Sequence, residues 1–313
     1  MIDLRSQRVL VTGGTGFLGR VLVRQLRERD VKVVALGHKD GNLTRDDVAQ
    51  VLLKRERPDI VVHLAVLCGG IGANRARPAD FLAENAMMGL NVLRACVDWQ
   101  VRKVVMLGSI CAYPKHTPVP FCEDAIWNGY PEETNAPYGT AKRLLLVAAQ
   151  AYRQQYGLNA INLFPTNMYG ANDHFDDASN HVIPALIGKF CGAARRGEST
   201  VELWGDGSPT RGFLYVTDAA EAIIRALEVY DSPEPLNLGS GEEVTIRDLA
   251  TKIAELSGYR SRIEWNTSYP NGQPRRLVDS SRARAALGWE AKVKLAEGLK
   301  YAVESYLRGN EPR

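Results

Sequence analysis

The chain has 313 residues, of which 45% are hydrophobic and 24% are charged, and its formal net charge is +3. This is an ordinary globular composition, with length for one large domain or two coupled domains. The mild positive charge is spread along the chain, which argues against a nucleic-acid groove and suits an anionic small substrate. The five cysteines show no paired spacing, so we expect reduced thiols in a cytoplasmic protein rather than a disulfide framework or a metal site. No apolar run approaches the roughly 18 residues of a membrane span, and residues 1–8 are polar, so we expect neither a membrane segment nor a secretory signal.

A glycine-rich turn follows the first predicted strand, residues 8–11, and precedes an amphipathic helix predicted over residues 21–29. Gly13, Gly16 and Gly19 are spaced for a tight turn, for close approach of the backbone to a pyrophosphate, and for close packing of helix on strand. The N-terminus of the helix would offer free N–H groups and a positive dipole to the phosphates. The order strand, glycines, helix therefore predicts a Rossmann dinucleotide-binding domain.

The end of the second predicted strand, residues 31–36, indicates which dinucleotide binds. A site that prefers NAD places Asp or Glu there to hold the ribose hydroxyls. The chain has His38 and Lys39 instead, and Asp40 follows one position later. Because a basic pair suits the 2′-phosphate of the adenosine, this end of the strand favours NADPH over NADH.

A second set of chemical groups follows the buried strand predicted at residues 103–108. Ser109 and Cys111 come at the carboxyl end of that strand, where open α/β sheets bind their ligands. Tyr138 and Lys142 are four residues apart on the next predicted helix, so they share a face. A fixed ammonium stabilises a phenolate, and a serine hydroxyl opposite can hold a carbonyl oxygen. The trio of Ser, Tyr and Lys predicts reversible proton transfer to an oxygen while a hydride moves at its carbon.

Further buried strands are predicted at residues 59–65 and 159–164, the second of them the last strand of the sheet. A helix is predicted over residues 79–98, and Thr245 is expected to cap a helix over residues 246–257. Beyond residue 165 the alternation of strand and helix loosens.

The predicted fold class is α/β, a doubly wound parallel Rossmann sheet with a second, smaller α/β substrate domain. Residues 1–165, together with about 213–239, are expected to form the NADP-binding domain. Residues 166–212 and 240–313 are expected to form the substrate-binding domain.

These motifs, in this order, resemble the extended short-chain dehydrogenase/reductase family, and within it the GDP-L-fucose synthases. The similarity covers nearly the whole chain. It is carried by residues 69–74, 78–81, 107–109, 113–115, 165–167, 179–185 and 204–211, together with Cys111, Tyr138 and Lys142. The chain departs from that family at Ile110, Lys189 and Gly212, where a small hydroxyl residue, Arg and Glu are usual. These departures lie at the sugar and diphosphate end, so they bear on the identity of the sugar.

The resemblance implies that Ser109, Tyr138 and Lys142 serve hydride chemistry and that Cys111 and His181 are the acid–base pair for epimerisation. The other four cysteines are expected to be inert. NADP(H) is the implied cofactor, and its expected contacts are Gly13, Thr15, Gly16, Phe17, Leu18, Gly19, His38, Lys39, Leu64, Ala65, Leu107, Gly108, Lys142, Pro165, Asn167, Met168 and His181. A GDP-sugar is the implied substrate, with contacts at Asn167, Lys189, Trp204, Arg211 and Asp279.

We therefore expect a cytoplasmic, NADPH-dependent epimerase/reductase that converts GDP-4-keto-6-deoxy-D-mannose to GDP-L-fucose or a closely related GDP-deoxysugar. The family also implies a homodimer built from the helix at 79–98 and the helix after Tyr138. One alternative is a redox-neutral isomerase of the GDP-mannose 3,5-epimerase type with bound NAD(P), against which the basic pair His38 and Lys39 argues. A scaffold that senses the cofactor without turnover is a third interpretation, disfavoured because such members usually lack the Tyr or the Lys.

Overall fold

Six parallel strands form the main sheet of the computed structural model, which describes residues 1–173, 175, 181–269 and 271–309. With strands numbered in chain order, the sheet runs β2 (Lys32–Leu36), β1 (Arg8–Thr12), β3 (Ile60–His63), β4 (Lys103–Leu107), β5 (Asn159–Pro165) and β9 (Leu236–Leu238). The chain leaves β1 for β2 on one side and returns to β3 on the other. This reversal creates a crevice at the carboxyl ends of β1 and β3, where doubly wound sheets bind ligands.

Helices cover both faces of this sheet. On one face pack α1 (Phe17–Arg27), α7 (Val216–Val229) and α9 (Ser281–Leu287). On the other face pack α2 (Asp46–Glu56), α4 (Pro78–Asp98) and α5 (Ala136–Tyr156), while the short α3 (Ile71–Ala76) precedes α4. Successive residues of β1 alternate between the two cores, because strand side chains point to opposite faces in turn. The predicted α/β Rossmann class is confirmed.

A second hydrophobic core lies in the C-terminal half of the chain. It is built by α6 (Val182–Arg196), α8 (Ile246–Leu256) and α10 (Leu295–Gly309), packed with two small sheets. In one sheet β8 (Thr210–Tyr215) pairs with β6 (Asn167–Tyr169), β10 (Glu243–Thr245) and β12 (Arg275–Arg276); in the other, β7 (Thr200–Trp204) pairs with β11 (Arg262–Asn266). These elements fall where the substrate domain is predicted; the division into two domains stays a prediction. Each helix in the described part of the chain is too short or too polar to span a bilayer.

Two of the predicted elements are wrong in their bounds or order. The strand predicted at residues 159–164 is not the last of the sheet, because β9 pairs with β5 beyond it. A three-residue strand gives too short a run of alternation to be recognised. The first helix begins at Phe17 rather than at residue 21, with the extended Gly16 as its N-cap. The predicted cap of α8 is confirmed, since the Thr245 hydroxyl accepts from the Asp248 N–H at 3.0 Å.

A buried lysine joins the sheet to the end of α7. Lys103 is 1% exposed, and its ammonium donates to the carbonyls of Ala226, Leu227 and Tyr230 at 2.7, 2.8 and 2.6 Å. These carbonyls lie at the helix C-terminus, which lacks intrahelical donors and carries partial negative charge. Burial lowers the pKa of Lys103 to about 8, so at pH 7 the side chain is mostly protonated and uses all three of its N–H donors.

Replacing Lys103 by Met should lower the free energy of unfolding by about 2–3 kcal/mol, because the buried carbonyls lose their donor. The measurement is the midpoint of urea unfolding at an unchanged slope. Lys252→Met, at an exposed position of α8, is the matched control and should change stability by less than about 0.5 kcal/mol. Equal midpoints for the two variants would contradict the assigned role.

Candidate active site

The glycine turn after β1 forms a tight cradle at the crevice. Gly13 has a φ of +66°, and a Cβ placed on it would lie 2.7 Å from the Ala65 nitrogen. A side chain on Gly19 would overlap the Gly13 carbonyl, so α1 begins directly at the turn. The turn, the residues after β3 and the N-terminus of α1 therefore meet where a pyrophosphate is expected to bind. A Cβ on Gly13 or Gly19 would fill this cradle. The two glycines therefore keep the space open, and the cradle fits a dinucleotide.

The residues after β2 place two basic side chains beside this cradle. Asp40, the nearest acidic residue, accepts from the Gly37 N–H at 2.7 Å and is thereby used to cap its own turn. Gly37 has no room for a side chain because the Thr15 hydroxyl occupies that space. His38 and Lys39 are exposed next to it. The arrangement offers donors and positive charge where an adenosine 2′-phosphate would lie.

Ser109, Tyr138 and Lys142 meet at the carboxyl end of β4. The Lys142 ammonium is 6% exposed and donates to the Leu107 carbonyl at 2.8 Å. It lies 5.6 Å from the centre of the Tyr138 ring, in line with their spacing of one helical turn. The Ser109 side chain lies close enough to the Tyr138 hydroxyl to act on the pKa of that phenol.

Burial controls the protonation of this group. Burial raises the pKa of Tyr138; Cys68 and Cys111 add to this rise, and Ser109 opposes it. Burial also lowers the pKa of Lys142 to about 8, while the same two thiols act in the opposite direction. The pKa of His63 falls to about 3, through burial and then through the Lys142 charge, so its ring is neutral. That ring lies 2.9 Å from the Thr12 hydroxyl, which fits a packing role rather than a catalytic one.

Cys111 is held in a short 3₁₀ turn immediately after Ser109. Its N–H donates to the Ser109 hydroxyl at 3.2 Å, and its side chain is half-buried. Gly139, the residue after Tyr138, packs directly on the Cys111 carbonyl, and a Cβ there would overlap it. The glycine therefore lets the catalytic helix approach the turn that carries the thiol. Gly139 is not among the residues predicted from the sequence, although its place inside the Tyr-x-x-x-Lys motif was a usable signal.

A second thiol enters the crevice from the loop after β3. Cys68 is exposed, and it interacts electrostatically with both Tyr138 and Lys142. Its loop is clamped by Asn85 of α4, whose amide accepts from the Leu67 N–H at 2.9 Å and donates to the Leu67 carbonyl at 3.0 Å. No pattern in the sequence separates Cys68 from the other cysteines that are expected to be inert, because only the fold brings it to Lys142.

His181 stands at the N-cap of α6, directly after residues 176–180, which lie outside the described residues and include the predicted Ser179 and Asn180 positions. The residue is exposed to solvent, yet burial by the surrounding protein lowers the pKa of the His181 ring, as expected for a side chain inside a cleft. Its ring is therefore mostly neutral at pH 7 and able to accept a proton. Its relation to Cys111 stays a prediction.

The expected substrate contacts divide into two groups. Arg211 on β8 lies within electrostatic reach of Cys111, and its guanidinium donates to the Thr210 carbonyl at 2.8 Å. Asn167, at the start of β6, donates to the Gly212 carbonyl at 3.4 Å, next to Arg211 in the chain. Asp279, by contrast, accepts from the Ser281 N–H at 2.8 Å, just before α9, and its carboxylate lies 3.8 Å from the Cys122 sulfur.

An aromatic platform lies at the end of β7. Trp204 is 61% exposed and stacks on Tyr269, with ring centres 4.3 Å apart and an interplanar angle of 7°. Lys189 of α6 donates to the Glu202 carbonyl of the same strand at 3.2 Å. Asn271 and Gly272 link the platform to Arg211, because Asn271 accepts from the Asp206 N–H and Gly272 lies against the Arg211 guanidinium. Tyr269 had no signature in the sequence; its role depends on the pairing of β7 with β11.

Comparisons with known proteins agree with this site. Residues 9–239 match the NAD dependent epimerase/dehydratase family. GDP-L-fucose synthase 1 of Arabidopsis thaliana is 40% identical over 305 residues, which are 97% of this chain and 94% of that protein. The solved structure of a GDP-L-fucose synthetase from Naegleria fowleri bound to NADP is 27% identical, with a TM-score of 0.90 over 99% of this chain and 96% of that one.

A third similar protein is the GDP-mannoheptose C4 reductase of Campylobacter jejuni, solved with NADP bound. It is 29% identical, with a TM-score of 0.89 over 98% of this chain and 100% of that one. The match over nearly the whole length, the glycine cradle and the Ser-Tyr-Lys group all point to one family. The chain belongs to the NAD dependent epimerase/dehydratase family of extended short-chain reductases and, within it, to the GDP-L-fucose synthase-like branch.

Proposed function

We propose that this protein is an NADPH-dependent epimerase/reductase that converts GDP-4-keto-6-deoxy-D-mannose to GDP-L-fucose or a closely related GDP-deoxysugar. The observation that carries the proposal is the buried Lys142 beside Tyr138 and Ser109, with Cys111 on the same turn. The name of the Arabidopsis relative supports the substrate, and the two neighbours with bound NADP support the cofactor.

The dinucleotide would be held by the cradle around Gly13, by Thr15 and the basic pair His38 and Lys39 at its 2′-phosphate, and by Lys142 at the nicotinamide ribose. The remaining contacts would come from Gly16, Phe17, Leu18, Gly19, Leu64, Ala65, Leu107, Gly108, Pro165, Asn167, Met168 and His181. When bound, NADPH supplies the hydride.

Epimerisation begins with the acidity of the sugar. A ketone at C4 acidifies the hydrogens on C3 and C5, so the Cys111 thiolate removes such a proton and leaves an enolate. Ser109 and Tyr138 donate hydrogen bonds to the enolate oxygen, which lowers the barrier. The protonated form of His181 returns a proton to the opposite face of the carbon, and the configuration is inverted. The Cys111 thiol then releases its proton to solvent and the neutral His181 ring takes one up, which restores both groups.

Reduction then uses the same oxygen. As C4 gains hydride, its oxygen becomes an alkoxide and takes the proton of the Tyr138 hydroxyl. The raised pKa of Tyr138 keeps that proton in place until it is needed. The Lys142 ammonium stabilises the phenolate that remains.

The nucleotide end of the substrate would lie across the second core. Arg211 and Lys189 would pair with the diphosphate, because guanidinium and ammonium groups form charge-assisted hydrogen bonds with phosphate. Trp204 would stack on the guanine or the sugar, and Asn167 and Asp279 would complete the contacts. Residues 1–165 and about 213–239 would serve as the NADP-binding domain, and 166–212 and 240–313 as the substrate-binding domain.

We also propose a cytoplasmic homodimer. Helices α4 and α5 pack closely because Gly89 has no side chain to separate it from Leu145. Their outer surface exposes apolar side chains that a second copy would cover, namely Leu82, Leu90, Leu144 and Val147.

The function is tested by mixing the purified protein with GDP-4-keto-6-deoxy-D-mannose and NADPH and following the loss of NADPH absorbance. Stoichiometric oxidation with formation of a GDP-6-deoxyhexose is the expected result. Turnover of GDP-mannose without added cofactor would instead support the redox-neutral isomerase. Tight NADP(H) binding without any turnover would support the scaffold.

Cys111→Ser should slow solvent-deuterium exchange at C3 and C5 of the keto sugar by about 10²- to 10⁴-fold, because the base is lost. NADPH affinity should stay unchanged, since the thiol is assigned no contact with the cofactor. Exchange is followed by NMR, and Cys96→Ala, in the core away from the crevice, controls for loss of a thiol. Full exchange in Cys111→Ser would refute the assigned base.

The rate of reduction should fall as the pH rises through about 8, the pKa to which burial lowers Lys142. Below that pH the lysine is an ammonium and supports Tyr138; above it the charge is lost, while the raised pKa of Tyr138 keeps the phenol protonated. The profile of kcat/KM for NADPH measures this descent. In Lys142→Arg, whose charge persists, the fall in rate should move to higher pH. A wild-type profile that stays flat up to about pH 9.5 would contradict the assignment.

A further inference from the structure

Helix α5 presents two neighbouring faces to the crevice. Tyr138 and Lys142 are one helical turn apart on the face that carries the chemistry. Gly139 and Arg143, each one residue later, are one turn apart on the face beside it. The Cys111 carbonyl packs directly on Gly139, where a Cβ would overlap it. This second face therefore determines where the turn that carries the thiol stands relative to the phenol and the ammonium.

Arg143 holds the same turn by a hydrogen bond. Its Nε donates to the carbonyl of Ala112, the residue after Cys111, at 2.5 Å. Ala112 ends the short 3₁₀ turn that follows Ser109, and carbonyls at the end of a helical turn have no donor within it. The turn is thus fixed from both sides, because Gly139 limits how closely it approaches α5 and Arg143 keeps it from moving away.

A second hydrogen bond ties Arg143 to the far end of the loop that follows this turn. Its Nη1 donates to the Gly129 carbonyl at 2.8 Å, and the guanidinium lies 5.8 Å from the centre of the Trp127 ring. A guanidinium is planar and its donors have fixed directions, so bonds from two of its nitrogens leave it little freedom to rotate. The Ala112 carbonyl is therefore held in one place.

This arrangement is unfavourable for Arg143 itself. The side chain is half-buried, and burial lowers its pKa with no opposing contribution from a carboxylate. Its Nη2 is buried and has no hydrogen-bond acceptor in the part of the chain that the structure describes. A desolvated cation without a counter-charge is costly, and proteins accept such costs where function needs a fixed geometry. The contacts of Arg143 therefore point to a role in the site beyond support of the fold.

We propose that Arg143 is a positioning residue for epimerisation, which fixes the turn of Cys111 so that the thiol faces the carbons beside the ketone. The proposal rests on the proposed function for the reaction. The base must reach C3 and C5 while Ser109 and Tyr138 hold the oxygen on C4, so a small displacement of the turn misaligns the base with the protons that it removes. Arg143 acts through the Ala112 carbonyl and is assigned no contact with the substrate.

Arg143→Met keeps an unbranched side chain and removes the donors. Solvent-deuterium exchange at C3 and C5 of the keto sugar should fall by about 10- to 100-fold, because a misplacement of about 1 Å has an effect of up to that size. NADPH affinity, measured by fluorescence titration, should stay unchanged, since the glycine cradle is not altered. Arg143→Lys, which keeps the charge but loses the fork of donors, should recover part of the exchange.

The reactivity of the thiol gives a second measurement, which does not need the keto sugar. The full chain, saturated with NADP⁺, is alkylated with iodoacetamide, and mass spectrometry follows each cysteine separately. Cys111 is half-buried in its turn, so its labelling should be several-fold faster in Arg143→Met, because a loosened turn opens more often. Cys68, on a different loop that Asn85 holds, should be labelled at the wild-type rate and serves as the reference.

The matched control is Arg153→Met. Arg153 is a partly exposed arginine further along the same helix, and it donates to the Asn159 side chain at 3.1 Å, away from the turn. Its replacement should change neither the exchange at C3 and C5 nor the labelling of Cys111.

Wild-type exchange in a folded Arg143→Met variant would overturn the proposal. Equal losses of exchange and NADPH affinity, together with a lower unfolding temperature, would overturn it as well, because they indicate general support of the fold. If Arg143→Met does not fold, Arg143→Lys carries both measurements, and wild-type values for both would count against the proposal. If the wild type itself catalyses no exchange, the proposed reaction fails. Faster labelling of Cys111 in Arg143→Met would then still support the positioning role, and unchanged labelling would refute it.

Discussion

The buried ammonium of Lys142 is the interaction on which the site depends. It is fixed by the Leu107 carbonyl at the end of β4, in a place where water cannot screen it. Its charge adds to the lowering of the His63 pKa and opposes the rise that burial causes in the pKa of Cys68, while the thiols of Cys68 and Cys111 act to raise the pKa of Lys142 itself. The fold places this one cation where a negative charge would develop on an oxygen, and burial makes its effect strong.

Glycines determine how closely the backbone segments approach around that cation. Gly13 brings the first turn against the residues after β3, and Gly139 brings the catalytic helix against the turn of Cys111. In each case a single methyl group would overlap backbone atoms, which cannot move aside as a flexible side chain can. The site is therefore assembled by close backbone contacts between elements that are distant in sequence, and the side chains are oriented as a consequence.

The charge distribution follows the shape expected of a sugar nucleotide. The half-buried Cys111 lies within electrostatic reach of Arg211 on β8, which stands across from Arg276 on β12, and Asn271 and Gly272 continue to the exposed ring of Trp204. A thiol, a cationic pair and a flat aromatic surface thus follow one another across the crevice. Such a sequence of environments suits a sugar, a diphosphate and a base in that order, because each region complements one part of the ligand.

The sequence by itself determined those features whose physical cause is local. The glycine turn after β1, the spacing of Tyr138 and Lys142, and the Thr245 cap each depend on a few neighbouring residues, so their pattern in the chain predicted them correctly. Only the tertiary structure decided which distant side chains meet. The entry of Cys68 into the crevice depends on the clamp from Asn85, and the opposition of Arg211 and Arg276 depends on the register of a two-residue strand. Such short strands carry too little periodicity to fix a register, and contacts between residues far apart in the chain follow from the packing of the whole fold rather than from any one segment.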